Sequence, residues 1–194
     1  MNASNIVIDG NGFTLQGKGT GVGFSLAGKS NVTIMNVTVD GWSYGFNLTS
    51  SSGNTVSGNN VTNNNQYGIY LWMSGGNNVS GNNITNNSVD GIYLYKSNSS
   101  TVSGNTIANN TRTGIYLNMS NSSTVSGNTI ANNTEDGIHL DGSSGNNVSG
   151  NTIANNTYGI YLDESDGNNF SGNTIANNTE NGIHLGGSNS NTVS

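Results

Sequence analysis

The sequence predicts an all-β solenoid: a right-handed coil of about eight rungs of 22–23 residues, each rung carrying three short parallel strands. Two markers and one composition point to it. Ser-Gly-Asn recurs at 57–59, 80–82, 103–105, 126–128, 149–151 and 171–173, in four steps of 23 and one of 22. Gly-Ile-(Tyr/His)-Leu begins at Gly68, Gly91, Gly114, Gly137, Gly159 and Gly182, with looser copies at Gly23 and Gly45. Both markers lose one residue in the same unit, so whole units are stacked. Asn, Gly, Ser and Thr fill 116 of 194 positions, while apolar residues make up 31 % and charged residues 7 %, with no Pro and no Cys. That composition is far from a layered globular domain and disfavours helices.

Each element follows from one unit. Thr101 to Leu117 reads TVSGNTIANNTRTGIYL. Val102, Ile107, Ile115 and Leu117 are its strong apolar positions, and Ile115 and Leu117 alternate with Tyr116 as a strand requires. Ser-Gly-Asn, Asn-Asn-Thr and Ser-Asn-Ser supply the turns between segments. One unit cannot bury its own apolar side chains, but stacked units place Val on Val and Ile on Ile. The first apolar column runs Ile8, Ile34, Val56, Val79, Val102, Val125, Val148, Phe170 and Val193, which is eight steps. At about 4.8 Å per step the rod is about 38 Å long. Its hand is expected to be right, as in nearly all parallel crossovers.

The same columns explain the Asn content. Asn59, Asn82, Asn105, Asn128, Asn151 and Asn173 are expected to stack at one corner, and Asn63, Asn86, Asn109, Asn132, Asn155 and Asn177 at another. Asn tolerates left-handed turn conformations, and its amide donates to one neighbour while accepting from the other.

Charge narrows the partners. The net charge is −6, and Lys18, Lys29, Lys96 and Arg112 form no basic stripe, which excludes nucleic-acid binding by phosphate neutralisation. No run of 18 apolar residues suggests a membrane span, and the opening Met-Asn-Ala-Ser-Asn is not a signal peptide. The absence of Cys leaves the redox compartment open.

The strings SGNTIANNT and GIYL, with the opening NIVIDGNGFTLQG, resemble the repeats of the NosD-like and carbohydrate-binding right-handed parallel β-helix group, as in archaeal surface and secreted proteins. The resemblance implies a parallel β-helix over nearly the whole chain and leaves function open, because enzymes, binding modules and surface proteins share the repeat. NosD is associated with copper loading of a periplasmic reductase. Here Met1, Met35, Met73 and Met119 are scattered and His139 and His184 lie two rungs apart, so neither metal nor cofactor is expected. Pectate lyases and polygalacturonases share the coil, which brings enzymes into consideration.

Three features are candidates for function. In the Gly-Ile-X-Leu strand X points outward, giving the column Tyr70, Tyr93, Tyr116, His139, Tyr161 and His184. Two residues on lie Trp72, Tyr95, Asn118, Asp141, Asp163 and Gly186. Tyr70, Trp72, Tyr93 and Tyr95 thus form an aromatic block on adjacent rungs, suited to a sugar ring or a protein, or simply to cross-rung stacking. The binding candidates are these four with Tyr116, His139 and Tyr161.

The second feature is acidic. Asp141 and Asp163 share a column on adjacent rungs, their backbones about 5 Å apart, near the carboxyl separation of a retaining glycosidase. The same carboxylates suit Ca²⁺ or a solvated acidic face. Rungs of uniform length offer no loops to wall off a cleft, and Arg112, the sole Arg, stacks below Glu135 as a surface ion pair; both points weigh against catalysis. A single outward Thr column (Thr106, Thr129, Thr152, Thr174) falls short of a flat ice-binding face. The third feature is a set of seventeen Asn-X-Ser/Thr sites, of which Asn78, Asn98, Asn121, Asn147 and Asn169 are the glycosylation candidates.

These readings lead to one expectation: a non-catalytic extracellular or cell-surface repeat protein with a structural or adhesive role, filament-forming or glycan-binding. The alternative is a polysaccharide-active lyase or glycoside hydrolase, or a fragment of one, using the acidic face near Asp141 and Asp163. Residues 1–194 are expected to form one β-helix domain, and Asn191-Thr-Val-Ser194 stops inside a unit, so end-to-end self-association or a longer parent chain is expected.

Overall fold

The computed structural model describes all residues 1–194 and contains only strands, turns and coil. Strands of two to six residues form three parallel sheets of nine, eight and eight strands, wound as a right-handed solenoid. The first sheet runs from Ile6–Asp9 to Thr192–Val193, the second from Thr14–Gln16 to Thr174–Ala176, and the third from Val22–Ala27 to Ile183–Gly186. Every strand pairs with the strand one rung away, never with its neighbour in sequence. No helix is long and apolar enough to cross a membrane.

The register is that of the columns. Val79 pairs with Val102 and Val102 with Val125; Ile84, Ile107 and Ile130 do likewise in the second sheet, and Ile92, Ile115 and Ile138 in the third. The four apolar positions of the unit, Val102, Ile107, Ile115 and Leu117, are fully buried, as are their copies one rung above and below. The Gly of Gly-Ile-X-Leu is required by packing. A Cβ on Gly114 would lie 2.6 Å from Ile130 Cγ2 and 2.7 Å from the Gly137 carbonyl, so no larger residue fits there.

The corners are polar and buried, and hydrogen-bond ladders satisfy them. In the first ladder each Nδ2 donates to the next rung's Oδ1, from Asn59 to Asn82 (3.0 Å) and then through Asn105, Asn128 and Asn151 to Asn173 at 2.9 Å each. Each Oδ1 also accepts a backbone N–H, as Asn105 accepts from Asn82 N at 2.9 Å. The second ladder differs from the one expected. Asn63, Asn86, Asn109, Asn132, Asn155 and Asn177 carry the turn, with φ between 55° and 59°, and their side chains are exposed. The buried ladder is formed by the next residues, Asn64, Asn87, Asn110, Asn133, Asn156 and Asn178, at 2.9–3.2 Å. The left-handed residue turns the chain, so its neighbour is the one that faces inward.

Two further columns were read from sequence only as turn chemistry. Ser51, Ser74, Ser97, Ser120, Ser143, Ser165 and Ser188 form a ladder in which each Oγ accepts the preceding rung's backbone N–H at 2.9–3.0 Å. Asn54 and Asn77, then Ser100 and Ser123, then Asn146, Asn168 and Asn191 form another.

Removing one ladder amide isolates donors in a dry corner. Asn105→Ala leaves the Asn82 backbone N–H without its acceptor and is expected to lower unfolding free energy by roughly 2–4 kcal/mol. Asn109→Ala, on the exposed turn, is expected to cost about 1 kcal/mol, the strain of Ala in a left-handed conformation. Chemical denaturation followed by circular dichroism separates the two, and equal losses would contradict the assignment of the inner ladder.

Candidate functional site

The outward face of the third sheet gathers the aromatic residues. Alternation buries the Ile and Leu of each Gly-Ile-X-Leu strand and sends X to the surface, where copies lie one rung apart. Tyr70, Trp72, Tyr93, Tyr95, Tyr116, His139 and Tyr161 all sit on this face, each half-buried against its neighbours. Trp72 stacks on Tyr95 at 4.2 Å between centroids and Tyr70 on Tyr93 at 5.5 Å. Tyr116 stacks on His139 at 4.5 Å and Tyr161 on His184 at 4.7 Å, with His139 and Tyr161 4.8 Å apart. The predicted block therefore continues as one ladder along the rod.

The structure adds residues that sequence reasoning passed over. Tyr44, Tyr67 and Tyr158 stand immediately before the marker Gly and join the ladder: Tyr67 packs 5.0 Å from Tyr70 and 5.3 Å from Tyr93, and Tyr158 5.2 Å from Tyr161. Their signal was the residue preceding each Gly, a position outside the strand alternation used to find the others. The same column brings in Asp90, Thr113 and Asp136.

Toward the C-terminal half the ladder borders a groove of about 410 Å³ lined by Tyr116, Glu135, Asp136, His139, Asp141, Thr157, Tyr158, Tyr161 and Asp163. Uniform rung length had suggested no cleft; the aromatic side chains themselves make the walls. His139 Nδ1 lies 2.8 Å from Asp136 Oδ2. Tyr116 OH donates to Asp141 Oδ2 at 2.9 Å, and Asn118 Nδ2 donates to the same oxygen at 3.1 Å. Asp141 and Asp163 face each other across adjacent strands, as expected. Arg112 Nε binds Glu135 at 3.1 Å, with both side chains nearly half exposed, so the pair contributes at most about 1 kcal/mol.

Burial tunes the phenols. Desolvation, reinforced by Tyr67, Asp90 and Asp141, pushes Tyr93 up to about 12. Desolvation and the Asp141 contact likewise raise Tyr116, and desolvation with neighbouring tyrosines raises Tyr70. All three stay protonated at neutral pH, and the Tyr116 hydroxyl donates to Asp141.

The glycosylation candidates lie away from this face. Asn98, Asn147 and Asn169 are exposed and Asn78 and Asn121 half-buried, and they bond along their own edge: Asn98 Oδ1 accepts from Asn121 N at 2.7 Å, and Asn169 Nδ2 donates to Asn147 Oδ1 at 3.1 Å.

Residues 74–194 match the family described as "Right handed beta helix region", and residues 1–125 match "Periplasmic copper-binding protein (NosD)". No curated protein sequence matches the chain. Among solved structures, a point mutant of the periplasmic alginate epimerase AlgG is 26 % identical, with a TM-score of 0.78 over 81 % of this chain and 38 % of its own. AlgG without that mutation is 20 % identical, with a TM-score of 0.82 over 89 % of this chain and 46 % of its own. The Dettilon tailspike protein is 19 % identical, with a TM-score of 0.70 over 83 % and 38 %. These likenesses establish the fold, and the chain spans less than half the length of each of these structures.

The copper of the matched family finds no centre here. Cu(I) prefers sulfur ligands brought together. Met73 and Met119 are half exposed and two rungs apart, and Tyr161 lies between His139 and His184. His139 is held by Asp136 and His184 by Asn181, and no group of three or more His, Asp or Glu converges in metal-holding geometry.

Asp90 gives a test of this face. It is fully buried; its Oδ1 accepts from Thr113 N at 3.0 Å, while its Oδ2 and the Thr113 hydroxyl have no partner. Burial pushes its carboxyl up to about 6, against the lowering effects of the Thr113 N–H and Arg112. A folded-state value above the ordinary 3.8 means that the folded protein holds this proton more tightly. The stability so gained is present below about pH 4 and is lost as pH rises through 6. Asp90→Asn is therefore expected to stabilise the protein at pH 7, by up to about 3 kcal/mol, and to flatten stability between pH 4 and 7. Denaturant midpoints across that range test it; an unchanged slope would refute the assignment.

Proposed function

This chain belongs to the NosD-like right-handed β-helix family, and on that basis we propose that it is a periplasmic or extracellular glycan-binding protein whose binding face is the third sheet. The observation that carries the reading is the continuous aromatic ladder from Tyr44 to His184 that opens into the groove beside Tyr116 and Tyr161. Because the rings stack on one another along the rod, their edges face outward, and these half-exposed edges form a continuous apolar strip for the C–H groups of sugar rings. Carboxylates beside them accept hydrogen bonds from sugar hydroxyls. The site is built on strands rather than loops, so little ordering is needed on binding. The alginate epimerase named among the structures at 26 % identity lends the glycan reading support by analogy. The family description supports the location.

A second reading rests on the His139–Asp136 contact at 2.8 Å beside Asp141 and Asp163: a carboxylate-held imidazole next to two carboxylates suits proton transfer on a polysaccharide. Reducing-end and unsaturated-product assays on neutral and acidic glycans test it. Turnover lost in His139→Gln would establish it and displace the non-catalytic reading.

Trp72→Ala and Tyr93→Ala each remove a stacked ring without touching the core. In affinity electrophoresis through glycan-containing gels, each is expected to weaken retention about two- to tenfold, the value of one aromatic contact. Retention unchanged in both variants would count against this face.

A further inference from the structure

We infer that the glycan held on this face carries no acidic groups, and that Asp141 and Asp163 are the residues that set this specificity by refusing polyuronates. The inference rests on the glycan-binding reading above and adds the chemical class of the ligand.

The site is a concave surface walled by rings, with Tyr116, His139, Tyr158 and Tyr161 lining the groove. What a ligand meets between those rings depends on which charges are already spoken for. Four carboxylates line the groove. Glu135 is engaged by Arg112 at 3.1 Å, and Asp136 by His139 at 2.8 Å. Asp141 commits only Oδ2, to Tyr116 and Asn118. Its Oδ1 and the exposed carboxylate of Asp163 remain open to a ligand. Both sit on adjacent strands of the ring-bearing face, so a sugar lying in the groove against the edge of Tyr161 comes within reach of both.

No Lys or Arg lines the groove. Lys18 and Lys29 belong to the N-terminal rungs, Lys96 lies over the Tyr95 ring at 5.2 Å, and Arg112 is held by Glu135. A uronate entering here meets two open carboxylates and no free cation. Like charges within a few ångströms at a partly dry surface repel, and the effect weakens with salt. A neutral sugar meets only acceptors for its hydroxyls, in charge-assisted hydrogen bonds, beside rings for its C–H faces. The column itself tolerates neutral residues: Asn118 occupies the rung before Asp141 and Gly186 the rung after Asp163. The two Asp residues are therefore not demanded by the fold at these positions.

This sets the chain apart from the alginate epimerases that share its coil, since alginate is a polyuronate. Affinity electrophoresis through gels containing a soluble mannan, a soluble β-glucan, alginate or polygalacturonate decides the matter. EDTA should be present throughout, so that no divalent cation bridges carboxylates. The expected result is retention by at least one neutral glycan at least about tenfold stronger than by either polyuronate at low salt. The Asp141→Asn/Asp163→Asn variant, checked for native circular dichroism, is expected to narrow that ratio. Raising salt is expected to narrow it in the wild-type protein. Polyuronate retention equal to or stronger than neutral retention, and lost in Tyr93→Ala, would overturn the inference while leaving the glycan-binding face standing. An unchanged ratio in the double Asn variant would also overturn it. Retention by none of the four gels would remove the glycan-binding reading and this inference with it.

Discussion

Everything in this molecule depends on the rung spacing set by parallel strand pairing. Backbone hydrogen bonds hold each rung about 4.8 Å from the next. Every side chain therefore lies against the equivalent residue of the units above and below. A column survives only if its residue type can neighbour its own copy. Val, Ile and Leu satisfy this inside by dispersion and burial. Asn satisfies it at the corners because its amide accepts from one rung and donates to the next, and Ser because its Oγ accepts the preceding rung's N–H while donating to a backbone carbonyl. Tyr, Trp and His satisfy it outside by stacking. A repeated charge does not, and charged residues are correspondingly few, with Asp90 and Asp136 the buried ones.

The same constraint explains how a chain so poor in apolar residues keeps a defined core. The buried interior is narrow, one apolar layer from each of three sheets, and the polar corners around it are dry. Asn59 to Asn173 and Asn64 to Asn178 close those corners with amide ladders that take up backbone groups a turn would otherwise leave unpaired. Rigidity at the corners holds the third sheet in register, and that register places the rings of Tyr70, Tyr93, Tyr116 and Tyr161 in line. Binding capacity on this face is thus a by-product of the regularity that makes the fold possible. The NosD match rests on the coil, while the sulfur and imidazole donors of these residues fall in columns that keep them apart.

Legibility followed the same logic. The strands, the apolar columns and the X column of Gly-Ile-X-Leu were readable because alternation and a fixed repeat assign each a direction. Tyr44, Tyr67, Tyr158 and Asp90 were not, since they stand at the entry to a strand, where direction depends on the corner rather than on period two. The shift of the second ladder from Asn63 to Asn64 has the same origin. In an Asn-Asn pair both residues suit the turn chemically, and only the backbone path decides which one takes the left-handed conformation and which faces inward.

By itself the sequence determined the architecture: three parallel sheets, about eight steps, the apolar columns, and the alignment of Asp141 with Asp163, all consequences of a repeat too regular to admit another fold. Only the tertiary structure decided which polar residues are spent and which are free. Tyr116 reaches across a rung to Asp141, His139 turns back to Asp136, and Asp163 is left open. These pairings join different columns or bend within a rung, through side-chain reach that no period encodes. They shape the groove and its charge, and so the chemistry it can accept.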